Sequence, residues 1–148
     1  MIEIRVQGMP GAQGSKVSTR WGGMKESSDK VAPWRAAVAY WSEKQYQGEP
    51  LNEPVAMEIE FILPRAKHHW STAKDKEGQL VPSAPKHCTN AQMGDIDKLA
   101  RSTLDGCALR TGGTLIADDR LVVQLSLCKR YAEFNEPAGA LVRLQTAC

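Results

Sequence analysis

The sequence has no C-x-x-C pair, no internal repeat, no linker that would divide it, and no strong excess of charge of either sign. No apolar run approaches the roughly 18 residues that a membrane-spanning helix needs, which excludes an integral membrane protein of that kind. The opening M-I-E-I-R-V-Q is too short and too charged for a signal peptide, so a soluble protein of a reducing, intracellular compartment is expected. Four cysteines are present; Cys107 on an apolar helix face and Cys128 in a strand are both expected as buried free thiols. A net charge of +2 does not by itself argue for nucleic acid, so local clustering of charge carries that question.

What is there reads as one globular domain spanning residues 1–148, long enough to bury a real core. Ile2, Ile4 and Val6 alternate with polar residues, the period of a half-buried strand. Gly8 to Asp29 is dominated by turn residues and reads as loop, with Lys16, Arg20 and Lys25 giving it positive character around Trp21. Such a loop suits a nucleic-acid backbone and an exposed base, though a solvated surface loop has the same composition. Lys30 to Tyr46 reads as a helix with Trp34, Ala37, Val38 and Trp41 on its apolar face and Pro33 in its first turn. Val55 to Leu63 alternates as a long strand that Pro64 ends.

Residues 64–94 then lack periodicity. Loops of this length in compact domains are usually functional or disordered. Here Arg65, Lys67, Lys74, Lys76 and Lys86 outnumber Asp75 and Glu77, which suggests a mobile basic loop against phosphates. His68, His69, His87 and Cys88 also lie in it, but adjacent ligands rarely suit a tetrahedral zinc site.

The stretch from Gly94 to Asp119 organises the rest. Ile96, Leu99, Ala100, Thr103, Leu104 and Cys107 recur at helical spacing, so a helix over about Asp95 to Cys107 has one apolar face. Asp97, Arg101 and Asp105 fall four residues apart on another stripe, and Asp95 stands where an N-cap would. After Gly112 and Gly113, Leu121, Val123, Leu125 and Leu127 alternate as a strand. Asp119 and Lys129 share their parity and should face the covering helix. Asp95, Asp97 and Asp119 converging beside a cation would form a divalent-metal site. Capping and turn chemistry account for each acid singly; their combination is what points to metal. A final, weaker strand follows over Ala140 to Thr146. The expected fold class is α+β, a small mixed sheet covered by helices in the order strand, helix, strand, helix, strand, strand.

These motifs together resemble the RusA family of Holliday junction resolvases, in a phage or actinobacterial type of branch. The resemblance rests on the first strand with G-M-P-G-A-Q-G-S-K, on G-D-I-D-K-L-A-R-S-T-L-D-G, on A-D-D-R-L-V-V-Q-L and on C-K-R-Y, in that order. It implies that Asp95, Asp97 and Asp119 bind Mg²⁺, with Mn²⁺ as a substitute, that the protein is a homodimer, and that its partner is branched DNA. Arg101 stands where many members have a catalytic lysine, and Lys98 where many have asparagine. Arginine stays charged and clamps phosphate but is a poor proton donor, so its expected role is electrostatic. Lys16, Arg20, Lys25, Lys67 and Lys129 are the expected DNA-binding cations. A phage or prophage protein working in the bacterial cytoplasm is implied. Two other classes compete: a metal-dependent nuclease of forks, flaps or RNA, and a non-catalytic DNA-binding protein whose aspartates serve as caps and turns.

Overall fold

The computed structural model describes residues 1–14, 16–18, 20, 22, 24–26 and 29–147, with main chain alone for 16–18 and 24–26. Its centre is a four-stranded mixed sheet in the order β1-β6-β4-β5: β1 (Ile2–Gln7), β4 (Val55–Leu63), β5 (Val122–Tyr131) and β6 (Gly139–Thr146). β4 and β5 are parallel; the β1–β6 and β4–β6 pairs are antiparallel. The α+β expectation therefore holds. Helices α1 (Val31–Gln45) and α2 (Ile96–Cys107) pack on one face of this sheet and on each other.

Alternation along β4 decides which face is covered. Val55, Met57, Ile59, Phe61 and Leu63 are all buried, and Ile4, Val6, Val142 and Leu144 join them from β1 and β6. The other face carries charge. Arg143 bridges Glu3 and Glu58, while Arg130 bridges Glu60 and Glu136, so that face is stable in water without a cover. β5 is an edge strand. Its Leu127, Lys129 and Tyr131 lie beside Ile59, Phe61 and Leu63, but Val123 and Leu125 at its start remain exposed.

Two expectations change here. The segment read as loop contains a hairpin, β2 (Lys16–Ser18) paired with β3 (Met24–Glu26). Strands of three residues are too short to show a period of two. Cys128 is exposed rather than buried, because its parity on β5 aims it at the uncovered face. Cys107 is buried as expected, and burial pushes its thiol pKa up to about 12, which leaves it inert.

The helix pair is locked by one hydrogen bond and one close approach. Trp34, almost wholly buried, donates its indole N–H to Thr103 Oγ1 at 3.0 Å. Thr103 Oγ1 in turn donates to the Leu99 carbonyl. At Gly106 the helices come so near that an added Cβ would stand 2.7 Å from Val38 Cβ. Gly106→Ala should therefore destabilise the fold. Overpacking costs about 1–3 kcal/mol, which outweighs the roughly 1 kcal/mol gained by removing a helical glycine. A lowered urea midpoint at unchanged slope is the expected result. Trimming the neighbour in Gly106→Ala/Val38→Ala should recover part of the loss.

Candidate functional site

α2 presents its acids because its other side is committed. Leu99, Ala100, Ser102, Thr103, Gly106 and Cys107 are buried. Asp97 and Arg101 are left exposed and Asp105 half-buried. Ser102 donates to the Gly11 carbonyl, and Gln13 N–H donates to the Lys98 carbonyl, so the N-terminal G-M-P-G segment lies along this helix. Gly94 sits at φ +92°, and an added Cβ would meet Ala12 Cβ at 2.5 Å. Only glycine suits that position, both for conformation and for space.

Asp95 occupies the N-cap position, yet its side chain makes no capping hydrogen bond. It is 69% exposed and faces Lys98 Nζ at 3.5 Å. The capping explanation for Asp95 therefore lacks its defining bond. Lys129 reaches over from β5 and donates to the Gly94 carbonyl at 3.1 Å, beside Asp95. Lys129 thus lies on the covered side of the sheet, as its parity along β5 requires, at the start of α2.

Asp119 lies at the other end. It opens a 3-10 turn, Asp119–Leu121, and β5 begins only at Val122. Asp118 accepts the Arg120 N–H at 3.0 Å and caps that turn. This hydrogen bond, first among several causes, holds the Asp118 carboxyl below its ordinary range. Asp119 is shifted the opposite way. Partial burial raises its pKa first, then the bond to Asp118, then the charges of Asp118 and Asp105; Arg110 opposes. A recess lined by Asp105, Arg110, Thr111, Asp118 and Asp119 results.

Asp95, Asp97 and Asp119 are spread over the length of α2 rather than gathered at one point, Asp119 standing in its own turn beside the helix. Asp95 and Asp97 occupy the N-terminal turn, and Asp119 meets Asp105 near the C-terminal end. α2 and β5 run in opposite directions, which puts the start of the strand beside the end of the helix. Among the described residues no three His, Cys, Asp or Glu side chains are grouped closely enough to hold a metal ion. Arg101 stands between the two acidic ends, four residues from each of Asp97 and Asp105, with no ion-pair partner among the described residues.

The segment 64–94, read from its composition as a mobile loop, contains local structure. Short 3-10 turns span Lys67–His69, Lys74–Lys76 and Ala91–Met93, and a bridge joins Trp70 to Leu80. Cys88 is buried with Leu63 and Tyr131, while His68 and His87 face outward. Lys67 is exposed on the first turn, and Arg20 is exposed as well. The side chains of Lys16 and Lys25, and Trp21 entirely, lie outside the described residues. Sequence reading missed Arg110, which follows α2 with no motif to mark it, and which faces the Asp118–Asp119 pair.

The profile of the family described as Endodeoxyribonuclease RusA matches residues 7–142. The chain belongs to the RusA family. No curated protein matches the chain. Membership makes it an endodeoxyribonuclease, and the RusA family acts on branched DNA junctions. Among the described residues no helix is long and apolar enough to cross a membrane.

The opposite shifts of the two neighbouring aspartates predict opposite responses to substitution. Asp119 has a raised folded pKa, so its contribution to stability is present below the unfolded value and lost as pH rises through the folded one. Its charge is a net liability at neutral pH. Asp119→Asn should melt higher than wild type at neutral pH, with the gain fading toward about pH 4. Asp118, with a lowered pKa, contributes above its unfolded value and loses that as pH falls. Asp118→Ala should melt lower at neutral pH.

Proposed function

We propose that this RusA-family protein is a Mg²⁺-dependent resolvase of four-way DNA junctions in recombination and repair, acting as one domain per protomer of a two-fold dimer. The observation that carries the reading is the solvent-facing row of exposed Asp97 and Arg101 and half-buried Asp105, flanked by Asp95 and Asp119, on the helix of a family-matched nuclease. Asp119, whose pKa is raised by burial and then by Asp118 and Asp105, would be stabilised by a bound cation, and hard carboxylate oxygens suit Mg²⁺ or Mn²⁺. Mg²⁺ commonly takes one or two protein carboxylates and completes its shell with water and substrate phosphate, so a protomer need not gather three. Asp95 and Asp97 are the proposed ligands at the start of α2, and Asp119 is the proposed ligand near its other end.

The ion's contribution, when bound, is to activate water and to offset charge on the scissile phosphate. The chain's own residues do the rest. Arg101, permanently charged, clamps a phosphate oxygen against the row. Lys98 orients the Asp95 carboxylate, and Lys129 holds the Gly94 carbonyl and with it the start of α2. Arg20, Lys67 and the hairpin lysines Lys16 and Lys25 fix the backbone of the arms. A phage or prophage protein working in the bacterial cytoplasm fits this reading.

Cleavage of a synthetic four-way junction with Mg²⁺ tests the activity, beside matched duplex, fork and flap substrates. Paired, symmetric nicks confined to the junction are expected. Asp97→Asn and Asp119→Asn should each lower cleavage by more than about a hundredfold, the upper range for losing a mere supporting group, while binding persists. Unchanged cleavage in either variant removes that residue from the site; equal cutting of forks or flaps changes the substrate.

The β5 edge is the proposed dimer seam: Val123 and Leu125 are exposed there, and no strand among the described residues pairs with that edge. Two-fold pairing there would relate two sites as the arms of a junction are related. Leu125→Lys should shift the protein from dimer to monomer in sedimentation analysis and abolish paired nicking. A Leu125→Lys protein that sediments as wild type excludes this edge.

A further inference from the structure

A cleft of about 480 Å³ opens where the segment 64–94 folds over the carboxyl ends of the parallel strands β4 and β5. Ligands of sheets with parallel strands commonly bind outside those ends. Flat groups build its walls. The Arg65 guanidinium lies over the Tyr131 ring, 4.2 Å from its centroid, and is anchored by donating to the Pro85 carbonyl at 2.7 Å. The His69 ring stands edge-on to Tyr131, and His68 stands edge-on to His69. Around the mouth come His87, Asn90 and Gln92. Asn90 Oδ1 accepts the Gln92 N–H, which fixes the amide at the rim. Burial, and then the nearby His68 and Arg65, hold the His69 pKa down, and with Nδ1 facing the Arg65 guanidinium at 3.5 Å its Nε2–H is the group left to donate.

The cleft adjoins the candidate site. Gln92 and Met93 line it, and both also line the neighbouring recess whose other wall is Gly94, Asp95 and Lys98. A strand held by Lys98 beside Asp95 would run on past Gln92 and Met93 toward the mouth of this cleft. We propose that the cleft receives one unstacked nucleobase of that DNA strand. Amides and imidazoles at the rim match base edges, which carry both donors and acceptors, and the Arg65–Tyr131 stack supplies a plane for the base face. Nucleotides at a branch point have already lost stacking partners, so taking one out of the helix costs least there. The assignment rests on the endonuclease reading and adds to it a means of choosing where along the strand the nick falls.

Junctions carrying a single abasic site, moved one nucleotide at a time past the branch, test it with the full-length protein. Wild type should bind about tenfold more weakly when one particular base is missing, within the range that stacking of one base contributes. His87→Ala/Gln92→Ala should bind the intact junction about as weakly and be indifferent to that abasic site. Its melting temperature, matched to wild type, separates lost contacts from lost fold. An equal response of wild type to every abasic position, with cleavage intact, overturns the cleft and leaves the nuclease standing. A double variant that keeps the position-specific penalty overturns it too. Failure of wild type to bind or cut any branched DNA removes the nuclease reading, and this assignment with it.

Discussion

Every solvent-facing group on α2 is placed by the face that α2 buries. The contact of Gly106 with Val38 and the Trp34–Thr103 hydrogen bond fix how the helix is rotated about its axis. Gly94 against Ala12, and Ser102 on the Gly11 carbonyl, fix how far it slides along that axis. With rotation and position both set by packing, Asp97 and Arg101 have no freedom to turn inward. A dense interior transmits such constraints because it cannot deform a little at a time. The charged row is thus a consequence of the core, reached with no contribution from the charges themselves.

The charges in fact oppose stability at one end. The last turn of a helix carries partial negative charge, so acids there are disfavoured. Asp105 lies in that turn and Asp119 beside it, each also repelled by the other. Arg110 offsets part of this. At the first turn the helix field favours Asp95 and Asp97, yet Asp95 leaves its capping bond unmade. Asp105 and Asp119, which have neither a favourable helix field nor an ion-pair partner among the described residues, are ones for which a fold alone gives no reason, and such conflicts between local rules mark functional ground.

Much of this was legible in the sequence. The strands β1 and β4 and the helix α2 announced themselves through periods of two and 3.6, and Lys129 through its parity. The acids were legible as residues, but their spatial relation was not. Parity along a strand says which face a side chain takes; it does not say which end of a neighbouring helix lies beside it. That depends on the crossover from β4 through α2 to β5, which sets α2 and β5 antiparallel and parts Asp119 from Asp95. Cys128 was misread for a similar reason, since alternation cannot tell an edge strand with one open face from a central one. The local structure of segment 64–94 gave no signal because its turns and its Trp70–Leu80 bridge repeat at no fixed period.

The place of β6 in the sheet has a consequence for how the protein comes into being. This last strand lies between β1 and β4, with Ile2 opposite Leu144 and Met57 also opposite Leu144. Until it has been synthesised, β1 has no neighbour in the sheet and β4 lacks one of its two. Pairing residues so far apart in the chain is slow, and the loop-closure cost is met before any contact repays it. A growing chain therefore holds its charged helix without the platform that orients it. The sheet that orients the charged helix is therefore complete only once β6 has been made and has paired with both neighbours.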